Sequence, residues 1–284
     1  HADAAVKGSA DSMTLTVSGQ TAGDFIESGA SAGGIETLNV VTKGSASTVN
    51  IGSSNNTLSL VNFTGDQNVT SGIGSTALET IDASTFTGKL DVSYNSAVNL
   101  TVKGGTNDDT ITFGSTNTLT SGDVIDGGAG TDTLEISDTI TEADLKNVSN
   151  VETLKVTGNY DVTLAGDATI MNFDFTSDQQ NILTLNAGVK AATTVTLGSA
   201  GGGGQDDNVI NSANVALTIK GKADAIDDAT TITGGTGTDT IEITADTNAD
   251  VAIALQGGGV SKIDKIVVVD GGDKAIASGS GMSG

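Results

Sequence analysis

The chain has 284 residues, long enough to bury a real core as one elongated domain or two compact ones, and carries 12 basic against 35 acidic residues for a net charge of -23. All 12 basic residues are lysines, which counts against phosphate or nucleic-acid binding, since those contacts rest on cationic side chains and guanidinium forks. Cysteine is absent and the single histidine is His1, so disulfides, thiolate ligands, cysteine nucleophiles, histidine triads and almost any zinc site are removed from consideration.

Along the chain, apolar residues alternate with Thr, Ser and Asn, and glycine falls between the runs. Met13, Leu15 and Val17 share one face; Leu58 and Leu60 follow, then Val98, Leu100 and Val102. The period of two returns at Leu154 and Val156, Val162 and Leu164, Phe173 and Phe175, Leu183 and Leu185, and Val195 and Leu197. It continues at Val215, Leu217 and Ile219, and at Val251, Ile253 and Leu255. Such alternation predicts many short, half-buried strands, with threonine on their outer faces and glycine at their corners. Residues 141–147 predict one helical turn, because Thr141 followed by Asp144 forms a capping box before Leu145. The longest aliphatic run, Ile266 to Val269, is far short of the ~20 residues that span a membrane.

A tetrapeptide recurs as IETL at 35–38, LETI at 78–81 and VETL at 151–154, with a looser IDKI at 263–266. Repeated strand openings of this kind predict coils stacked along an axis, each burying its apolar face on its neighbours. The fold class expected is all-β: an elongated, irregular parallel β-solenoid or β-roll-like stack of short strands with calcium-binding turns. It is read as mainly one region over 1–284, with a subdomain boundary near 198–206. The chain opens at HADAAVKGS and stops in SGSGMSG, and is expected to be a piece of a larger polypeptide whose targeting information lies elsewhere.

Two nonapeptides are the most specific signal: GGAGTDTLE at 127–135 and GGTGTDTIE at 234–242. Both fit GGxGxDxUx, in which glycines turn the backbone to aim carbonyl oxygens, aspartate adds charged oxygen and the aliphatic U anchors the next strand. A hard cation taking six to eight oxygen ligands suits that donor set. In the first copy the candidate ligands are Gly128, Gly130 and Asp132. The preceding nine residues, TLTSGDVID, keep the pattern's acid and aliphatic positions as Asp123 and Ile125 and end in Asp126, so Asp123 and Asp126 are read as the partner turn. In the second copy the candidates are Gly235, Gly237 and Asp239, with further ligands from Asp227 or Asp228. GGTNDDTIT at 104–112 offers Gly105, Asn107 and Asp109; GGGQDDNVI at 202–210 is poorer and offers Asp207. Adjacent acids such as Asp108 and Asp109 do not make a catalytic pair, because neighbours on a strand face opposite sides. Scarce aromatics and the missing tryptophan count against a sugar-cleaving enzyme. The sequons at Asn55, Asn62, Asn68, Asn99 and Asn147 arise readily by chance in a chain rich in Asn, Ser and Thr.

With its GGxGxD motifs, its lack of cysteine, its acidic Thr/Ser/Gly/Asn composition and segments such as ALETIDASTFTGKLDVS, the chain resembles bacterial surface-layer proteins of the repeats-in-toxin type. The resemblance implies a secreted, non-enzymatic cell-surface protein exported by a type I system. It further implies Ca2+ binding, with Asp132, Asp239 and Asp109 as ligands, and assembly with copies of itself into a two-dimensional lattice. Neither nucleic acid nor a membrane span is implied, and cell-surface polysaccharide would be reached through a region outside this chain. The nonapeptides are scattered rather than tandem, which departs from a long regular β-roll. An adhesin or toxin repeat region, and more weakly a β-helix polysaccharide-degrading enzyme, remain the alternative readings.

Overall fold

The computed structural model describes residues 10–27, 34–53, 57–94, 98–114, 119–166, 170–176, 180–198, 207–222, 225–226, 231–244 and 259–269. They form an all-β, parallel β-solenoid with no α-helix among them. No helix among the described residues is long and apolar enough to cross a membrane. The chain divides into two compact units, His1–Ile136 with Asp144–Glu152, and Ser137–Ala143 with Thr153–Gly284. The boundary expected near 198–206 falls on residues that, apart from Gly198, lie outside the described ones.

In the first unit, one parallel sheet runs Ser12–Val17, Thr37–Thr42, Leu60–Gly65, Thr80–Asp82, Thr101–Lys103, Val124–Asp126, Val148–Ser149. A second set runs Asp24–Glu27, Ser47–Ser53, Val69–Gly74, Leu90–Tyr94, Thr110–Phe113, Thr133–Ile136. The chain alternates between the two, so each coil lays one strand on each. Because strands of successive coils pair in register, the inward positions become columns: Leu38, Val61, Ile81, Val102, Ile125 and Val148 on one side, and Val49, Ser71, Val92, Ile111 and Leu134 on the other. All are buried, each large aliphatic member contributing about 1.5–3 kcal/mol. Ser71 interrupts the second column with a buried hydroxyl that has no hydrogen-bond partner. On the outer face the columns are polar ladders: Asn62 donates to Asn39 at 2.8 Å, and Lys103 pairs with Asp82 at 3.2 Å.

The second unit repeats this plan. One sheet runs Ile140–Thr141, Asp161–Leu164, Ile182–Leu185, Asn208–Asn211, Thr231–Thr233, Val260–Ser261, and a second set runs Thr153–Val156, Asn172–Phe175, Thr193–Leu197, Leu217–Lys222, Thr240–Thr244, Lys265–Val269. Leu154, Phe173, Val195, Ile219 and Ile241 form one five-residue buried column, and Ile140, Val162, Leu183, Val209 and Ile232 form another on the facing sheet.

Three local expectations are corrected. Leu58 is buried in a corner, while Leu60 opens its strand half-exposed, and Val61 and Phe63 face inward instead. Val98 is 40% exposed, because its strand begins only at Thr101. Residues 142–147 are turns, with Thr141 ending a strand that pairs with Asp161–Leu164. The side chain of Glu142 accepts the N–H groups of Ala165 and Gly166 one coil on, and that cross-coil bonding replaces a helical turn. The run at Val251, Ile253 and Leu255 lies outside the described residues.

Candidate metal centres

The nonapeptide at 127–135 forms a corner between two strands. Val124–Asp126 ends, Gly127 donates to Ser149 O at 3.0 Å, and the chain turns through Gly128 (φ 96°) and Gly130 (φ 143°), a conformation that only glycine adopts without strain. It re-enters a strand at Thr133, with Leu134 fully buried as the aliphatic anchor. Asp132 turns inward and is 1% exposed. Its Oδ1 accepts the N–H of Asp109 at 2.7 Å from the coil before. Asp109 is equally buried; its Oδ1 accepts Leu90 N–H at 2.8 Å and its Oδ2 accepts Gly105 N–H at 2.6 Å. Glu152 Oε2 accepts the N–H of Asp132 at 2.7 Å from the coil after. The acids thus form a ladder in which each carboxylate satisfies an amide one coil away, where the strand ladder has not yet begun.

The twin at 234–242 repeats the hydrogen bonding of this corner, although Gly235 and Gly237 do not take the positive φ of Gly128 and Gly130. Gly234 donates to Ser261 O at 2.9 Å, and Asp239, with no exposed surface, accepts Leu217 N–H at 2.9 Å and Asn211 Nδ2 at 3.3 Å through Oδ1. Asp264 Oδ2 accepts the N–H of Asp239 at 2.8 Å.

Both corners leave one oxygen over. Asp132 Oδ2 and Asp239 Oδ2 are buried and accept no hydrogen bond of ordinary geometry, the N–H of Gly235 acting on the Asp239 carboxyl from outside that range. A Cβ on Gly127 would lie 2.7 Å from Asp132 Oδ2 and 1.9 Å from Asn150 O. One on Gly234 would lie 2.6 Å from Asp239 Oδ2 and 1.9 Å from Lys262 O. A buried carboxylate oxygen and a backbone carbonyl therefore converge at the first glycine of each motif. Burial raises the carboxyl of Asp132 from 3.8 to about 6; the N–H of Asp109 opposes this, and the charges of Asp109, Glu152 and Asp108 add to it. Burial likewise raises Asp239, against the N–H groups of Leu217 and Gly235, and raises Asp109, against those of Gly105 and Leu90.

The register overturns one expectation. The turn stacked on 127–135 is the one at 104–112, not the preceding nine residues: Ala129 donates to Gly105 O at 3.0 Å, Thr131 to Asp108 Oδ1 at 2.8 Å, and Asp109 and Asp132 are 23 residues apart. A coil of this solenoid spends that length on two strands and their corners, so nine residues do not complete a turn. Asp123 serves another corner, where both its oxygens are used by Leu100 N–H at 2.7 Å and Thr120 N–H at 2.8 Å. Asp126 Oδ1 accepts Gly128 N–H at 3.1 Å and Asn150 Nδ2 at 2.7 Å. Asn107 donates its side-chain amide to Thr87 O. Gly128 and Gly130 pack over the backbone of 104–107, and Gly235 and Gly237 over Ala213 O and Val215 O. Asp207 caps Asn181 N–H at 2.9 Å. Asp227, Asp228 and 202–206 lie outside the described residues.

Sequence reasoning missed Glu152 and Asp264, although a signal was present. VSNVETL at 148–154 and VSKIDKI at 260–266 follow the two nonapeptides in register and share Val, Ser, an aliphatic, an acid and a second aliphatic. Among the described residues no three acidic or histidine side chains group as a metal cluster, so a cation at either corner would rest on the orphan carboxylate oxygen and backbone carbonyls. That all-oxygen donor set suits calcium. No family model, curated protein or solved structure matches the chain.

Proposed function

We propose that this is a structural cell-surface protein whose β-solenoid is pinned by calcium at the two nonapeptide corners and assembles with copies of itself into a two-dimensional layer. The observation that carries this reading is the pair of buried, unsatisfied carboxylate oxygens, Asp132 Oδ2 and Asp239 Oδ2, at the same position of the GGxGxDxUx pattern in the two units. An ionised carboxylate without a partner is costly to bury, and a divalent cation offsets both the missing bond and part of the net charge of -23. Asp132 and Asp239, with the carbonyls of Asn150 and Lys262, would hold the ion; it supplies charge neutralisation and a cross-coil staple, not reaction chemistry.

A structural role is further supported by how the paired acids are employed. Asp109 is buried and caps backbone amides with both oxygens, so it does not stand as an acid or base awaiting substrate, and its exposed neighbour Asp108 ties the next coil through Thr131 N–H. The test is thermal melting with calcium and with a chelator, alongside electron microscopy of the protein on adding calcium. A melt that drops sharply in chelator and ordered sheets in calcium support the reading. An unchanged melt, with no calcium by elemental analysis, sinks it.

A further inference from the structure

We infer that Glu152 and Asp264 are positioning residues that set the two nonapeptide aspartates for their cation, an inference that rests on the calcium reading above. Each acid lies one coil beyond its aspartate and clamps it twice. Glu152 accepts Asp132 N–H at 2.7 Å and donates its own N–H to Asp132 O at 3.1 Å; Asp264 does the same to Asp239 at 2.8 and 3.0 Å. Two residues before each acid, Asn150 (φ 51°) and Lys262 (φ 55°) are the only positive-φ non-glycine residues among those described. In that left-handed conformation they place their carbonyls against Gly127 and Gly234. The clamp fixes the aspartate backbone, and Oδ1 is already tied to the preceding coil. Oδ2 is thereby left facing the first glycine and the carbonyl that the same acid-bearing segment supplies.

Asp109 shows the contrast. Its N–H is also held by an acid, Asp132, but both its oxygens accept backbone amides, and it keeps no oxygen for an ion. Glu36 clamps Asp11 with the same pair of bonds at 2.7 and 3.1 Å, so the clamp becomes a metal-positioning device only where it meets a nonapeptide: the unit is a two-coil module, GGxGxDxUE followed one coil later by VSxUDxU or VSxUExU, where U is aliphatic. The spacing from aspartate to acid is 20 residues in one unit and 25 in the other.

Positioning by an accepted hydrogen bond requires an acceptor, not a charge. In the metal-depleted full chain, Glu152→Ala should weaken one calcium site about 10- to 100-fold by titration calorimetry, whereas Glu152→Gln should stay within about threefold of wild type. Asp264→Ala and Asp264→Asn should behave likewise at the other site. Amide exchange read by NMR without metal should show Asp132 N–H protected in wild type and Glu152→Gln and unprotected in Glu152→Ala. Wild-type affinity in Glu152→Ala, or equal loss in Glu152→Gln, overturns the inference while leaving the calcium reading intact. A wild-type chain that binds no calcium overturns both.

Discussion

Replacing Asp132 by Asn tests what the buried carboxylate does, because it keeps the Oδ1 acceptor for Asp109 N–H and exchanges the orphan Oδ2 for an uncharged amide. With the carboxyl raised from 3.8 to about 6, ionising it in the folded state at pH 7 costs at most about 3 kcal/mol, at about 1.4 kcal/mol per unit. Solvent relaxation reduces this to about 1–2 kcal/mol. The new amide also gains an acceptor, since Asn150 O and Oδ2 converge on Gly127. In chelator at pH 7, Asp132→Asn should therefore be more stable than wild type by about 1 kcal/mol, roughly 2–4 °C in melting temperature for a unit of this size. In calcium at ~100 times Kd the order reverses, because wild type gains roughly 2.7 kcal/mol per site and the variant loses one site. The assay is a pair of circular-dichroism melts, with calcium and with chelator. A variant less stable than wild type in both buffers by the same amount would refute the reasoning, since the carboxylate would then matter only as a backbone cap.

The raised carboxyl also sets a pH dependence: its protonated form stabilises the fold fully below pH ~4, and that contribution is lost as pH rises through about 6, so metal-free wild type should melt higher at pH 5 than at pH 7, an excess that Asp132→Asn should diminish. Asp123→Ala removes two caps at a corner with no orphan oxygen; it should cost about 2–3 kcal/mol in urea unfolding and leave the calcium-induced shift unchanged. Gly127→Ala and Gly234→Ala each place a methyl 1.9 Å from a carbonyl oxygen and should cost about 3 kcal/mol or more, lowering calcium affinity with stability. Ser71→Val fills a core column with a side chain that needs no partner, and its urea midpoint should rise by the equivalent of about 1 kcal/mol.

Most of the fold was legible in the sequence, because in a solenoid each strand pairs only with those of the neighbouring coils and alternation alone tells inside from outside. Leu154, Val156, Phe173 and Phe175 all point inward as their period of two requires. The corners were less legible, since a corner residue can be buried without belonging to a strand: Leu58 and Val215 are buried that way, whereas Val98 is not. Coil length was not legible at all. Nothing in the nonapeptide states how many residues separate stacked turns, so Asp123 looked like the partner of Asp132 when Asp109 is. The same ignorance hid Glu152 and Asp264, whose roles exist only across a coil, although IETL-type repeats had already marked their positions. That aspartate serves as a backbone cap was equally hidden, because a cap's amide lies a full coil away in sequence.

The most direct measurement is bound calcium, by equilibrium dialysis with elemental analysis, on metal-depleted wild type and on the double variant Asp132→Asn, Asp239→Asn. Wild type should take up calcium that the double variant lacks, while both remain folded β-proteins by circular dichroism. Equal calcium in the two proteins, or none in either, would contradict the claim that these two buried carboxylates hold the ion.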